Sequence, residues 1–121
     1  MKQEIAKIWV DALRSGEYTQ GRERLKKITK GVVTHCCLGV LCELYNQQND
    51  QPLKQHITND VDDDCVCFDN CVINLPPIVQ EWAGLGSRDG IYPFGILSNM
   101  NDEGVSFPEI ADAIEQNVEE L

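Results

Sequence analysis

Cysteine and histidine are the residues of this 121-residue sequence that could bind a metal, form disulfides or act as nucleophiles. Apart from His56, they form two groups: His35, Cys36, Cys37 and Cys42, and then Cys65, Cys67 and Cys71. Neither group has the C-x2-C spacing of a zinc knuckle, and a mixed site would require the two segments to be adjacent. We therefore predict no metal and no other cofactor. The first group lies in an apolar run and is expected to pack as small hydrophobic side chains.

A cysteine nucleophile is the second chemistry that these residues suggest. Cys36 or Cys37 at the start of a helix would have a lowered thiol pKa. Neighbouring residues of a strand point to opposite faces, however, so His35 is badly placed to act as a base for Cys36. A small cysteine- or metal-dependent enzyme is thus kept only as an alternative to a binding function.

An acidic run near the middle of the chain resembles the start of a calcium-binding loop. Asp60, Asp62 and Asp64 have the spacing of its first ligands. The sixth position of the loop is Cys65, where an EF-hand needs glycine, and the twelfth is Cys71, where it needs glutamate. These departures exclude an EF-hand and favour a solvated acidic loop.

Cations and aromatic side chains that could bind an anion are concentrated near the N-terminus. Two arginines can each form paired hydrogen bonds with a phosphate, and a tyrosine can stack on a base. In an extended strand Arg22, Arg24 and Lys26 would share one face, and Lys27 would point away. The predicted ligand-binding residues are Tyr18, Gln20, Arg22, Arg24, Lys26, Arg88 and Tyr92.

The formal net charge of −10 is distributed unevenly along the chain. Residues 1–35 hold eight basic and four acidic side chains, whereas residues 36–121 hold two basic and sixteen acidic ones. The chain could therefore present one basic face on an acidic body. The longest nearly apolar run, Cys36 to Cys42, is far shorter than the roughly 20 residues of a membrane helix. These features predict a soluble, cytoplasmic protein with one domain, residues 1–121.

Hydrophobic periodicity defines the elements of the N-terminal half. Ile5, Ile8, Trp9, Ala12 and Leu13 form one stripe of a first helix, which Gly16 is placed to end. Residues 25–28 and 32–35 read as a β-hairpin, and residues 38–45 as a short, buried second helix. The polar residues 46–64 are expected to form a long loop.

A strand at 65–75, a third helix opened by Pro76-Pro77 and an irregular segment at 91–97 are expected in the C-terminal half. Ser106 and Glu109 form a capping box at the start of the last helix. Trp82, like Trp9, is a predicted core residue. The expected fold is α+β, with N- and C-terminal amphipathic helices packed on a small, mostly antiparallel sheet.

Four blocks of the sequence support a family resemblance. They are WVDALRSGEYTQGRERL (9–25), HCCLGVLCELY (35–45), LPPIVQEWAGL (75–85) and LSNMNDEGVSFPEIADAIEQ (97–116). Together they resemble a group of small proteins encoded by bacteriophages and prophages. The resemblance implies a viral origin, the cytoplasm of a bacterial host and an accessory role, and it implies no activity.

These observations favour a non-enzymatic accessory protein that counteracts host defence by binding. Its partner would be a small anionic molecule, such as a nucleotide signal, or a host protein; direct nucleic-acid and membrane binding are not expected, and self-association is left open. One alternative is an acidic decoy that mimics nucleic acid. It would use the loop from Asp60 to Asp69 and the acidic side of the last helix, which carries Asp112, Glu115, Glu119 and Glu120.

Overall fold

The structure, a computed structural model, describes residues 1–59 and 63–121. Within these residues the helices are α1 (Gln3–Arg14), α2 (Cys37–Gln48), α3 (Pro77–Ala83), α4 (Leu97–Asp102) and α5 (Phe107–Gln116). The strands are β1 (Lys26–Thr29), β2 (Val32–His35), β3 (Gln55–Asn59), β4 (Asp64–Phe68), β5 (Ile91–Tyr92) and β6 (Gly95–Ile96). The expected α+β fold with an antiparallel sheet is confirmed.

The first and last helices pack along each other because each buries one apolar stripe. Trp9 of α1 is fully buried, and its indole N–H donates to the carbonyl of Cys37 at 2.9 Å, so α1 is also fixed to α2. The capping box at α5 is confirmed, since the backbone N–H of Glu109 donates to the hydroxyl of Ser106. Trp82 is only half-buried and packs edge-on against Tyr45.

Arg14 of α1 lies against the acidic side of α5. Its guanidinium is 2.6 Å from a carboxylate oxygen of Asp112 and 3.1 Å from one of Glu115. The acidic side that the decoy alternative requires is therefore partly neutralised by α1.

Four strands form one antiparallel sheet in the order β2-β1-β4-β3. The β1–β2 hairpin is confirmed, with Lys30 (φ 50°) and Gly31 (φ 79°) in its two-residue turn. Two positive φ values in succession are typical of the type I′ turn, whose twist matches that of the flanking strands. The strands β5 and β6 form a separate small hairpin.

Two expectations for the middle of the chain are wrong. The segment 46–64 is not one long loop, because α2 continues to Gln48 and Gln55–Asn59 forms β3. All five residues of β3 are exposed, and Ile57 is its one aliphatic side chain. The sequence of β3 therefore lacks the alternation of apolar and polar residues that predicts a strand, and pairing with β4 stabilises it. The strand predicted at 65–75 ends at Phe68, where Asp69 and Asn70 adopt positive φ angles.

The C-terminal half contains one helix that the sequence pattern did not predict. Leu97–Asp102 forms α4 directly after β6, where the irregular segment predicted at 91–97 ends. The helix is only six residues long and buries Leu97 and Asn101, so its pattern is too short to show a period. The third helix, by contrast, begins at Pro77 and ends before Gly84 as expected.

Candidate functional site

The predicted anion-binding segment does not form a continuous strand. The strand begins at Lys26, and Glu23 adopts a left-handed conformation (φ 66°) in which its backbone N–H donates to Asp102. The expected alternation of Arg22, Arg24 and Lys26 along one extended strand is therefore wrong. The exposed guanidinium of Arg22 lies against Gly104, and that of Arg24 donates to the carbonyl of Glu23 at 2.9 Å.

Lys26 instead belongs to a polar cluster that we call the His35 cluster, formed by Tyr18, Lys26, His35 and Glu43. Lys26 and His35 are opposite each other on β1 and β2. The Lys26 ammonium is 3.5 Å, and the His35 Nε2 atom 3.4 Å, from the same carboxylate oxygen of Glu43 on α2. The ring of Tyr18 packs edge-on against the imidazole at 5.3 Å. The cluster thus joins the sheet to α2.

Accessibility limits what the His35 cluster can do chemically. The Nε2 atom of His35 is shut off from solvent and makes no aligned hydrogen bond, although it lies close to Glu43. Burial alone would raise the pKa of Glu43, but His35 and Lys26 stabilise the carboxylate, and the net effect is a lowered pKa. Burial also raises the pKa of the Tyr18 hydroxyl. We interpret the cluster as a partly buried anchor for the sheet, in which His35 is the buried member.

Acid should weaken this anchor. Because the pKa of Glu43 is lower in the native state, its contribution to stability is present above the unfolded-state pKa and is lost as the pH falls through the native value. We expect Glu43→Gln to lower the free energy of unfolding by about 1 kcal/mol at pH 7, and by much less at pH 3. Urea unfolding at both pH values measures this. Glu119→Gln, on an exposed residue, is the control, and an equal pH response in both variants would contradict the prediction.

Gln20 has a structural position in a second polar network. Its side chain donates to Asn101 Oδ1 at 3.0 Å and to the carbonyl of Val105 at 2.8 Å, and accepts from the backbone N–H of Phe107. Asn101 is fully buried; it also accepts from the N–H of Cys37 and donates to the carbonyl of Gly21. Asn101 is not among the residues predicted from the sequence, because nothing in its local pattern distinguishes it from an exposed asparagine.

The two remaining predicted ligand residues make other contacts. Arg88 donates to the carbonyl of Leu75 at 3.3 Å and approaches the sulfur of Cys71 at 3.9 Å. Tyr92 is buried, with its hydroxyl 3.2 Å from the sulfur of Met100. Of the seven predicted residues, the structure thus brings Tyr18 and Lys26 together. Capture of a phosphate-bearing molecule by the basic segment stays a prediction.

All six cysteines are free thiols, and five of them are buried. Burial raises the pKa of the Cys36 thiol to about 11, even though backbone N–H groups at the start of α2 act in the opposite direction. Desolvation also raises the pKa of Cys37 and Cys42. The expectation of a lowered pKa at the helix start is wrong, and packing in the core is confirmed for these three thiols. No cluster suitable for a metal ion occurs within the part of the chain that the structure describes.

Thiol labelling should distinguish the exposed cysteine from the buried ones. At pH 8 we expect iodoacetamide to modify Cys71 first, because it alone is partly exposed, and to modify all six thiols only in denaturant. Mass spectrometry of time points gives the order, and Cys71→Ser should remove the fast phase. Fast labelling of Cys36 in the native protein would instead indicate a reactive thiolate.

The four-stranded sheet leaves apolar side chains exposed. Residues paired across antiparallel strands share a face, which places Ile28, Val33, Ile57 and Val66 on one side, here called the apolar face. Val33 is 41% and Ile57 56% exposed, although Val66 is buried. Lys26, Ile28, Gln55, His56, Ile57 and Val66 line an open concavity of about 310 Å³ at this face.

The family of the chain can be assigned from its sequence. A family model described as "Domain of unknown function (DUF8296)" matches residues 1–118. The chain belongs to this family. No curated protein and no solved structure matches the chain significantly.

The DUF8296 match covers every helix and strand described above. The apolar face and both polar networks therefore lie within the family domain. In the described residues, no helix is long and apolar enough to span a bilayer.

Proposed function

We propose that this DUF8296 protein is a binding module that acts on another protein through the apolar face of its sheet. The observation that supports the proposal is the exposure of Val33 and Ile57, which lie on the two edge strands β2 and β3. Ile28, on β1 between them, is half-buried. A sheet with exposed aliphatic side chains gains stability when a partner covers them, because each buried Å² of apolar surface contributes about 25 cal/mol.

The charge of the protein indicates the chemistry of the partner. Asp64 lies on the apolar face opposite Ile28, whereas Lys26 of the same face is paired with Glu43, and the whole chain carries a net charge of −10. A partner surface with an aliphatic centre and basic residues at its rim would complement both features. The resemblance to phage-encoded proteins adds the proposal that this partner is a bacterial host protein and that its blockage counteracts host defence.

Two adjacent valines allow a matched test. Val32 and Val33 are both exposed residues of β2, but they point to opposite faces of the sheet. A photo-crosslinking amino acid at position 33 should give one adduct of defined mass in bacterial cytosol, whereas the same amino acid at position 32 should not. Mass spectrometry then identifies the crosslinked protein.

A second pair of variants tests whether the adduct reports specific binding. Val33→Lys should weaken binding of the identified protein at least tenfold in calorimetry, because it places a charge on the apolar face. Val32→Lys should change binding less than twofold, because it adds the same charge to the same strand but on the opposite face. Crosslinking at position 32 alone would assign binding to the opposite face. No adduct at either position, or equal losses from both lysine variants, would contradict the proposal.

A further inference from the structure

The outer edge of β3 offers a defined set of backbone hydrogen-bonding groups. The N–H of Asp69 donates to the carbonyl of Lys54, which makes these two residues a hydrogen-bonded pair of the β3–β4 ladder. Such pairs alternate along antiparallel strands, so His56 and Thr58 bond to β4, and Gln55, Ile57 and Asn59 direct their N–H and C=O groups away from it.

The partners of Phe68 support this assignment independently. Phe68 lies opposite Gln55, yet its N–H donates to the carbonyl of Cys71 and its carbonyl accepts from Cys71. The Gln55–Phe68 pair is therefore a non-hydrogen-bonded pair. No hydrogen bond from the outward backbone groups of β3 is found within residues 1–59 and 63–121, where β3 is an edge strand.

The backbone groups that point away from β4, those of Gln55, Ile57 and Asn59, are arranged symmetrically about Ile57. If a second copy of β3 lies antiparallel to the first with Ile57 opposite Ile57, then Gln55 of each copy lies opposite Asn59 of the other. Each of these three pairs exchanges two N–H to C=O bonds, so the register satisfies all the outward groups of both strands. The two copies of Ile57, each 56% exposed when alone, become direct neighbours.

The charge pattern of β3 fits the same arrangement. The strand QHITN contains no Lys, Arg, Asp or Glu, although these residues make up 25% of the chain. Edge strands of monomeric proteins are commonly protected by charged residues or proline, and β3 contains neither. Across the two-fold axis, His56 lies opposite Thr58, so the register brings no like charges of β3 together.

We propose that two copies of this chain pair through β3, so that the two four-stranded sheets form one continuous eight-stranded antiparallel sheet. The apolar faces of the two copies lie on the same side of this sheet, because antiparallel pairing about an axis perpendicular to the sheet continues each face. The proposal rests on the edge of the sheet and does not depend on the proposed host partner.

Two lysine substitutions at neighbouring positions test the pairing. Ile57→Lys places two lysines opposite each other across the axis, whereas His56→Lys places each lysine opposite Thr58; both variants add one basic residue to β3. In sedimentation equilibrium of the full chain, the unmodified protein and His56→Lys should have twice the 13.6 kDa chain mass. Ile57→Lys should dissociate at least tenfold more readily. Circular dichroism verifies that both variants are folded.

Oxidative crosslinking tests the register. Introduced into a Cys71→Ser background, Ile57→Cys should form a covalent dimer rapidly, because the new cysteine faces its own copy. Asn59→Cys should do so at least tenfold more slowly, because it faces Gln55. A protein that stays monomeric up to about 1 mM, a dimer that both lysine variants weaken equally, or equal crosslinking at positions 57 and 59 would overturn the proposal.

Discussion

Gly39→Ala is expected to destabilise the native protein by more than about 3 kcal/mol. A β-carbon at position 39 would lie 1.7 Å from the carbonyl oxygen of Leu25, which is a fixed backbone atom. To relieve this overlap, α2 would have to move away from the segment that leads into β1, and the packing of both would be lost. The better helix propensity of alanine offsets only about 1 kcal/mol of this cost.

Thermal unfolding measures the effect and a second glycine provides the control. The midpoint should fall by roughly 10 °C or more in Gly39→Ala. A β-carbon at Gly86 would meet its nearest atom, the carbonyl oxygen of Leu121, at an ordinary contact distance of 3.5 Å. Gly86→Ala should therefore melt within about 2 °C of the unmodified protein. A Gly39→Ala variant that melts normally would mean that α2 does not approach Leu25 closely.

Asn101→Ala is expected to produce the second large loss, about 3 to 5 kcal/mol. The substitution leaves the buried N–H of Cys37 and the partly buried carbonyl of Gly21 without their partner, and it removes one acceptor from Gln20. Each unsatisfied buried polar group costs about 1–3 kcal/mol. The start of α2 and the segment before β1 should loosen together, because Asn101 links them.

Asn99→Ala is the matched control, since Asn99 lies on the same helix and is exposed. Its effect should stay within about 0.5 kcal/mol. Urea unfolding gives both free energies, and hydrogen exchange at the N–H of Cys37 reports the local opening directly. Equal stability of Asn101→Ala and Asn99→Ala would mean that the buried network contributes nothing to the stability of the fold.

The amphipathic elements were determined by local sequence. The stripe from Ile5 to Leu13 and the capping box at Ser106 specify α1 and α5, because burying one face of a helix requires a period that is visible in the sequence. The hairpin between β1 and β2 was predictable for a similar reason, since two short β-branched runs flank a glycine turn. These patterns were sufficient to predict the α+β fold class from the sequence.

The strand β3 and the buried polar networks were decided by the tertiary structure. Gln55–Asn59 has no alternating pattern of its own and becomes a strand because β4 provides hydrogen-bonding partners. The side chains of Asn101 and Gln20 are hydrogen-bonded although about 80 positions of sequence separate them. The contact between Glu43 and His35 spans fewer positions, but it too joins two different elements. Lys26 lies on β1 and Glu43 on α2, and only the packing of these two elements brings them together. The local sequence around Lys26 therefore indicated a cation but not that Glu43 would bind it.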